Sequence, residues 1–215
     1  LICSYVDLGY YKKACKLQNT VYNARKDILG ENHLDTLRSL DNLACTYSYL
    51  GDYNKACELE DTAYNARKEV LGENHPDTLR SLGNLASFYS NLGDYNKALE
   101  IRNAAYGVLK DILGENHPDT LFALNDLAVS YSCLGYYKKA CELQNTSYNA
   151  LKDILGAKHS DTLTVLANLA NSFSDLGDYN KALELCEEVY LARKEIQGEN
   201  HPDTLTSLAK LAHIY

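Results

Sequence analysis

The sequence predicts an all-α fold, a solenoid in which antiparallel helix pairs stack one on the next. Three observations lead there. Copies of one 42-residue pattern begin at Leu8, Leu50, Leu92, Leu134 and Leu176 without insertion or deletion. Leu-Gly pairs at 8/9, 50/51, 92/93, 134/135 and 176/177 hold that register. So do His33, His75, His117, His159 and His201, and Thr36, Thr78, Thr120, Thr162 and Thr204. A period of this size marks units that bury their apolar faces only against neighbours. Within a copy, apolar residues recur at helical spacing and glycines punctuate the ends.

Each copy divides into two helices. Helix A is expected from about Asp77 to Asn91, with Leu79, Leu82, Leu85, Ala86 and Tyr89 on one face. Gly93 ends it, because a residue without Cβ adopts the left-handed C-cap at no steric cost. Helix B is expected from about Tyr95 to Leu113. Its apolar or small positions (Ala98, Leu99, Ile101, Ala105, Tyr106, Val108 and Ile112) form a face broad enough for neighbours on two sides. Gly114 is expected to end it as Gly93 ends helix A. In the link, Pro118 suits the first helical turn and Asp119 complements the positive end of the helix dipole. Leu34 and Ser160 replace that proline in two copies. Asp52, Asp94 and Asp178 can cap helix B, whereas Tyr10 and Tyr136 stand there in two others. The helices after those tyrosines are expected to fray more, a cap being worth about 1 kcal/mol.

The expected organisation is a single solenoid over 1–215. Its units are 1–34 (part of a helix A, then helix B), 35–76, 77–118, 119–160, 161–202 and a truncated helix A at 203–215. Leu1 matches Leu43 and Tyr215 matches Tyr47, so both ends fall within a helix A. Solenoids need end units with polar outer faces, so the chain is expected to be a segment of a longer protein; the absence of methionine agrees.

Composition narrows the function classes. A net charge of −8 argues against nucleic acid or an anionic membrane as principal partner. No stretch approaches the roughly 20 apolar residues that cross a bilayer. The seven cysteines show no CxxC or zinc-like spacing. Cys15, Cys57 and Cys141 share one position, filled elsewhere by Leu99 and Leu183, which points to packing. A reducing, cytoplasmic location is expected.

Five equivalent histidines invite a metal reading. Equivalent atoms in packed helices lie about 8–10 Å apart. Two imidazoles on one zinc need nitrogens within about 3–4 Å, so a shared metal is not expected and a helix-start role is. Tyr22, Tyr64, Tyr106, Tyr148 and Tyr190 in helix B, and Tyr5, Tyr47, Tyr89, Tyr131 and Tyr215 in helix A, read as packing residues with hydroxyls reaching link or solvent. The glycines are helix stops, not a phosphate loop, and no Ser-His-Asp or Cys-His grouping converges in one unit. No enzymatic activity, cofactor or metal is expected.

The pattern Leu82-x-x-Leu85-Ala86-x-x-Tyr89-x-x-x-Gly93-x-Tyr95-x-x-Ala98 resembles the tetratricopeptide repeat (TPR). Its length, the Asn-Leu-Ala of helix A and the LGENHPDT link resemble the kinesin-light-chain type. A HEAT or armadillo array has a comparable period, but the Gly-x-Tyr-x-x-Ala turn disfavours it. The resemblance implies a right-handed superhelical α-solenoid whose A helices line a concave groove for an extended peptide or partner helix.

In that family an asparagine just before the Leu-Ala pair commonly bonds the peptide backbone, since a carboxamide donates and accepts at once. Asn42, Asn84 and Asn168 match that position; Asp126 and Lys210 depart from it. Residues three or four positions away share the face. They are Arg38, Asp41, Cys45 and Tyr49; then Arg80, Ser87 and Asn91; then Phe122, Asn125, Val129 and Cys133. Thr164, Asn171, Asp175 and His213 complete the series. Charges in this lining nearly cancel, with Arg38, Arg80 and Lys210 against Asp41, Asp126 and Asp175. The acidic excess lies on helix B, at Glu58, Glu60, Asp61, Glu187 and Glu188.

The sequence therefore predicts a scaffold that binds a peptide or protein segment through the A-helix residues, with neither nucleic acid nor membrane as partner. One alternative is a ligand-sensing array controlling an attached ATPase or effector domain. Another is architectural, the uncapped ends stacking head to tail in self-association.

Overall fold

A computed structural model describes residues 8–214, the Ile214 side chain apart. Among these residues there are ten helices and no strand. B helices are α1 (Tyr11–Leu29), α3 (Tyr53–Leu71), α5 (Tyr95–Leu113), α7 (Tyr137–Leu155) and α9 (Tyr179–Gln197). A helices are α2 (Leu34–Tyr49), α4 (Pro76–Leu92), α6 (Pro118–Cys133), α8 (Ser160–Leu176) and α10 (Pro202–Ile214). Helix B is bounded where the sequence places it, and helix A gains a residue at each end. The expected first partial helix A, with Tyr5, and Tyr215 at the other end lie outside the described residues.

The chain forms two compact units, Leu1–Ala105 and Tyr106–Tyr215. In the first, α2 packs between α1 and α3, and α3 packs on α4. In the second, α6 through α10 pack each on the next, and the A helices α6 and α8 also touch directly. This is the all-α, helix-pair arrangement the repeat implies.

The repeated core positions are buried. Ala44, Ala56, Cys57, Leu82, Leu85, Ala86, Phe88 and Ile101 form one cluster in the first unit, flanked by Tyr47, Tyr64 and Tyr89. Leu121, Cys141, Tyr148, Leu151, Val165, Leu166, Leu169, Leu185, Cys186 and Val189 cluster in the second. Cys57 and Cys141 therefore pack, and burial raises both thiols. Tyr148 is buried and pushed up to about 12 by that burial. Its hydroxyl reaches Glu188 Oε1 at 3.2 Å rather than link or solvent.

Helix ends follow local chemistry. Each link histidine is an N-cap: Nδ1 of His33, His75, His117, His159 and His201 accepts the backbone N–H two residues on, at 3.1–3.3 Å. Asp52, Asp94 and Asp178 accept the backbone N–H three residues on at 3.0–3.1 Å. Tyr10 and Tyr136 make no side-chain cap. Gly93 takes the expected left-handed conformation, φ 88 and ψ 1. The glycines ending B helices differ. Gly72 has φ 90 and ψ 162, in a region essentially confined to glycine, so helix B does not end as helix A does. The repeated threonines are fully buried, and Thr78 Oγ1 donates to the Gly72 carbonyl at 2.9 Å, tying the A-helix start to the preceding B-helix end.

Candidate functional site on the A helices

The variable A-helix residues form two chemically distinct faces, one per unit. In the first, Arg38 and Asn42 on α2 and Arg80, Ser87 and Asn91 on α4 are exposed, with Asn84 half-buried. Tyr49 is 58 % exposed and stacks on Tyr11 of α1, the ring centroids 5.3 Å apart. Asp41 is buried, contrary to its expected place in the lining, because it turns toward α3. There Arg67 donates to both carboxylate oxygens at 2.7 Å, and to Ser81 Oγ on α4. A guanidinium fork on a carboxylate satisfies both buried charges at once. Arg80 reaches the same carboxylate at 3.6 Å from the surface side.

Glu60 on α3 sits within this network. The sequence places it among the surface acids of helix B, but it is fully buried. Its Oε1 accepts from Asn84 Nδ2 at 3.3 Å, while Oε2 has no hydrogen-bond partner. Desolvation, then the nearby Asp41 carboxylate, raises its pKa to about 7, against the opposing pull of the Asn84 amide, the Ser81 hydroxyl and the charge of Arg67. Desolvation dominates because an ionised carboxylate loses its water shell on burial. The same effect lifts the half-buried Cys45 thiol to about 11.

Neither expected cation is a free charge. Arg38 pairs with Asp35 at 2.6 Å and Arg80 with Asp77 at 2.9 Å. With Arg67, His33 and Leu34 these residues line a cavity of about 380 Å³ at the starts of α2 and α4. A second cavity, of about 510 Å³, lies along α7 and α9 over Leu169 and Phe173, on the B-helix side.

In the second unit, Phe122, Asp126, Thr164, Asn168 and Asn171 are half-buried and Asp175 is exposed. Asn125 is buried at 1 % exposure, so it does not line an open face as expected. Its position equals that of Asp41, and both point at the neighbouring helix. Asn125 donates to Asp126 Oδ1 at 3.4 Å and accepts from Asn168 Nδ2 at 3.2 Å. Ser132 on α6 bonds Asp175 on α8 at 3.3 Å, and Lys210 on α10 bonds Asn171 at 3.5 Å. Neighbouring A helices thus meet through polar residues, most of which vary between repeats. Among the described residues no group of three or more His, Cys, Asp or Glu side chains could hold a metal ion.

Family models described as tetratricopeptide repeat match residues 36–77, 77–153, 124–185 and 161–215. The chain belongs to the tetratricopeptide repeat family. Solved structures of kinesin-light-chain-like TPR proteins are similar to it. A kinesin-light-chain-like protein of Podosopora anserina with nearly identical TPR-like repeats is 26% identical, with a TM-score of 0.75 over 92% of this chain and 93% of that one. A single-residue variant of that protein gives 0.78 over the same shares. BtubC (BKLC) from P. vanneervenii shares the fold at 20% identity, TM-score 0.70, over 96% of this chain and 80% of that one. No curated protein matches. No helix among the described residues is long and apolar enough to cross a membrane.

Two residues central to this TPR site escape a reading of the sequence, Arg67 and Glu60. A signal for Arg67 exists in the repeat itself. Where helix B carries Arg25, Arg67 or Arg193, the residue fourteen further on is Ser39, Ser81 or Ser207; where it carries Leu109 or Leu151, that residue is Ala123 or Val165. Each arginine bonds its serine: Arg25 to Ser39 at 2.7 Å and Arg193 to Ser207 at 2.8 Å. The pairing is a contact written twice, once polar and once apolar.

Proposed function

We propose that the chain is a protein-interaction module that binds an extended peptide or protein segment through its A-helix faces. One observation supports this reading above the rest. Successive A helices join through residues that differ from repeat to repeat (Arg80 with Asp41, Asn168 with Asn125, Lys210 with Asn171), while the core positions beneath them recur. A surface with a fixed frame and an editable lining suits recognition. The half-buried carboxamides of Asn84 and Asn168 and the exposed Asn42 can meet a peptide backbone, which offers donors and acceptors in alternation. The partner is a protein segment, not nucleic acid, since the lining arginines are already paired with aspartates and the chain is acidic. The cytoplasm is the compartment that fits its free thiols.

The double variant Asn84→Ala/Asn168→Ala tests this reading. Peptides selected by display against the intact chain should bind it at least tenfold more weakly, with helicity and melting retained. Unaltered affinity would reject the A-helix faces as the contact surface.

A further inference from the structure

A carboxamide has two unlike ends of nearly one shape. Which end faces a ligand decides whether it reads a donor or an acceptor. In the first unit that choice is made from below. Asn84 Nδ2 donates to Glu60 Oε1, so the nitrogen of Asn84 is the end turned inward. A proton on Glu60 leaves the arrangement intact, since Oε2 has no partner and can carry it while Oε1 goes on accepting.

The second unit reaches the same result by another route. The Asp126 carboxylate fixes Asn125 with its Nδ2 toward Oδ1 of that aspartate, at 3.4 Å. Asn125 Oδ1 is thereby left to accept, and Asn168 Nδ2 donates to it at 3.2 Å. Asn125 is buried and Asn168 half-buried, so the relay runs from inside outward. The carbonyl oxygens of Asn84 and Asn168 accept no hydrogen bond from a described residue. Asn42 supplies an internal contrast: it is exposed, and its side chain bonds nothing described.

We propose that Glu60 in one unit, and the Asp126–Asn125 pair in the other, are positioning residues. They hold the carboxamides of Asn84 and Asn168 with Oδ1 toward the ligand, so each unit selects an N–H donor of the bound segment. This rests on the A-helix reading of the preceding section. The device is local, not a property of every repeat. Gln18, Arg102, Gln144 and Cys186 stand where Glu60 does in other copies.

Two measurements on the intact chain test it. The first is side-chain amide exchange by ¹⁵N NMR, which needs no ligand. One Nδ2 proton of Asn84 and one of Asn168 should exchange at least tenfold more slowly than those of Asn42. Glu60→Leu should abolish the protection at Asn84 alone, and Asp126→Ala that at Asn168 alone. The half-buried Asp126 keeps the test decisive if Glu60→Leu fails to fold. Exchange as fast as at Asn42 overturns the positioning.

The second measurement uses a display-selected peptide with each backbone amide replaced in turn by an ester, which removes one N–H. At least one replacement should weaken binding tenfold or more, and the loss should shrink below threefold in Asp126→Ala or Glu60→Leu. A peptide that needs Asn84 and Asn168 yet tolerates every ester overturns the donor selectivity. A peptide that binds the double Asn variant unchanged instead overturns the A-helix reading beneath it, whatever the exchange rates show.

Discussion

Arg67 and Asp41 lie 26 residues apart in sequence and form a two-pronged buried ion pair, both nitrogen–oxygen distances 2.7 Å. The second unit builds the equivalent positions from Leu151 and Asn125, with Val165 in the place of Ser81. One fold thus carries a charged and an apolar solution to a single interior problem. Removing one partner of such a pair strands a buried charge, at a cost of about 3–5 kcal/mol. Arg67→Leu alone should therefore destabilise the chain by that amount in urea unfolding followed by circular dichroism. The triple variant Asp41→Asn/Arg67→Leu/Ser81→Val copies the second unit's set and should recover most of it. A triple variant no more stable than the single one would show that the two solutions are not interchangeable.

Glu60 makes stability depend on pH with a sign opposite to that of an ordinary paired carboxylate. Its pKa in the folded chain is about 7, above the ordinary value of 4.5. Between those limits the folded state holds the proton more firmly than the unfolded state. Stability therefore falls as pH rises from about 4.5 to 7 and levels off above, by about 3 kcal/mol in all. Glu60→Gln cannot titrate, so this slope should vanish and the variant should be the more stable protein at pH 8. Superimposable stability–pH curves for the two proteins would refute the assignment.

The histidine caps depend on a neutral imidazole, because Nδ1 must keep its lone pair to accept the backbone N–H. In α8 the cap is His159, with Nδ1 3.2 Å from the Asp161 nitrogen. His159→Ala should cost about 1 kcal/mol and His159→Asn much less, asparagine being a strong N-cap. Equal losses in thermal melting for both variants would mean that the histidine acts through packing.

Much of this architecture was legible because the chain repeats. Five copies act as five independent readings of one helix pair, and the B-helix bounds at Tyr95 and Leu113 follow directly. The interior polar network was not legible, for a geometric reason. Asp41 and Asn125 directly precede Asn42 and Asp126, and one residue turns a helix by about 100° (3.6 residues per turn). That rotation moves a side chain from an open face to the seam with the next helix. Glu60 misleads in the same way, lying beside the exposed Glu58 and Asp61. The exchange of Arg–Ser for Leu–Ala or Leu–Val fourteen residues apart was the available clue to the seam.

Tyr136 stands where Asp178 caps the equivalent helix, so the two B helices of the second unit differ at their first turn. Asp178 Oδ1 accepts the Lys181 N–H at 3.1 Å, while the Tyr136 side chain makes no cap bond and instead makes an edge contact with Tyr131, at 6.2 Å between centroids. The first turn of α7 lacks that side-chain cap bond, so each opening event there breaks one bond fewer. Hydrogen exchange at Lys138 and Lys139 should be faster than at Asn180 and Lys181, by about fivefold for a cap worth about 1 kcal/mol. Tyr136→Asp should slow it to match. If the two first turns already exchange at one rate, the Tyr131 contact holds α7 as firmly as the aspartate holds α9.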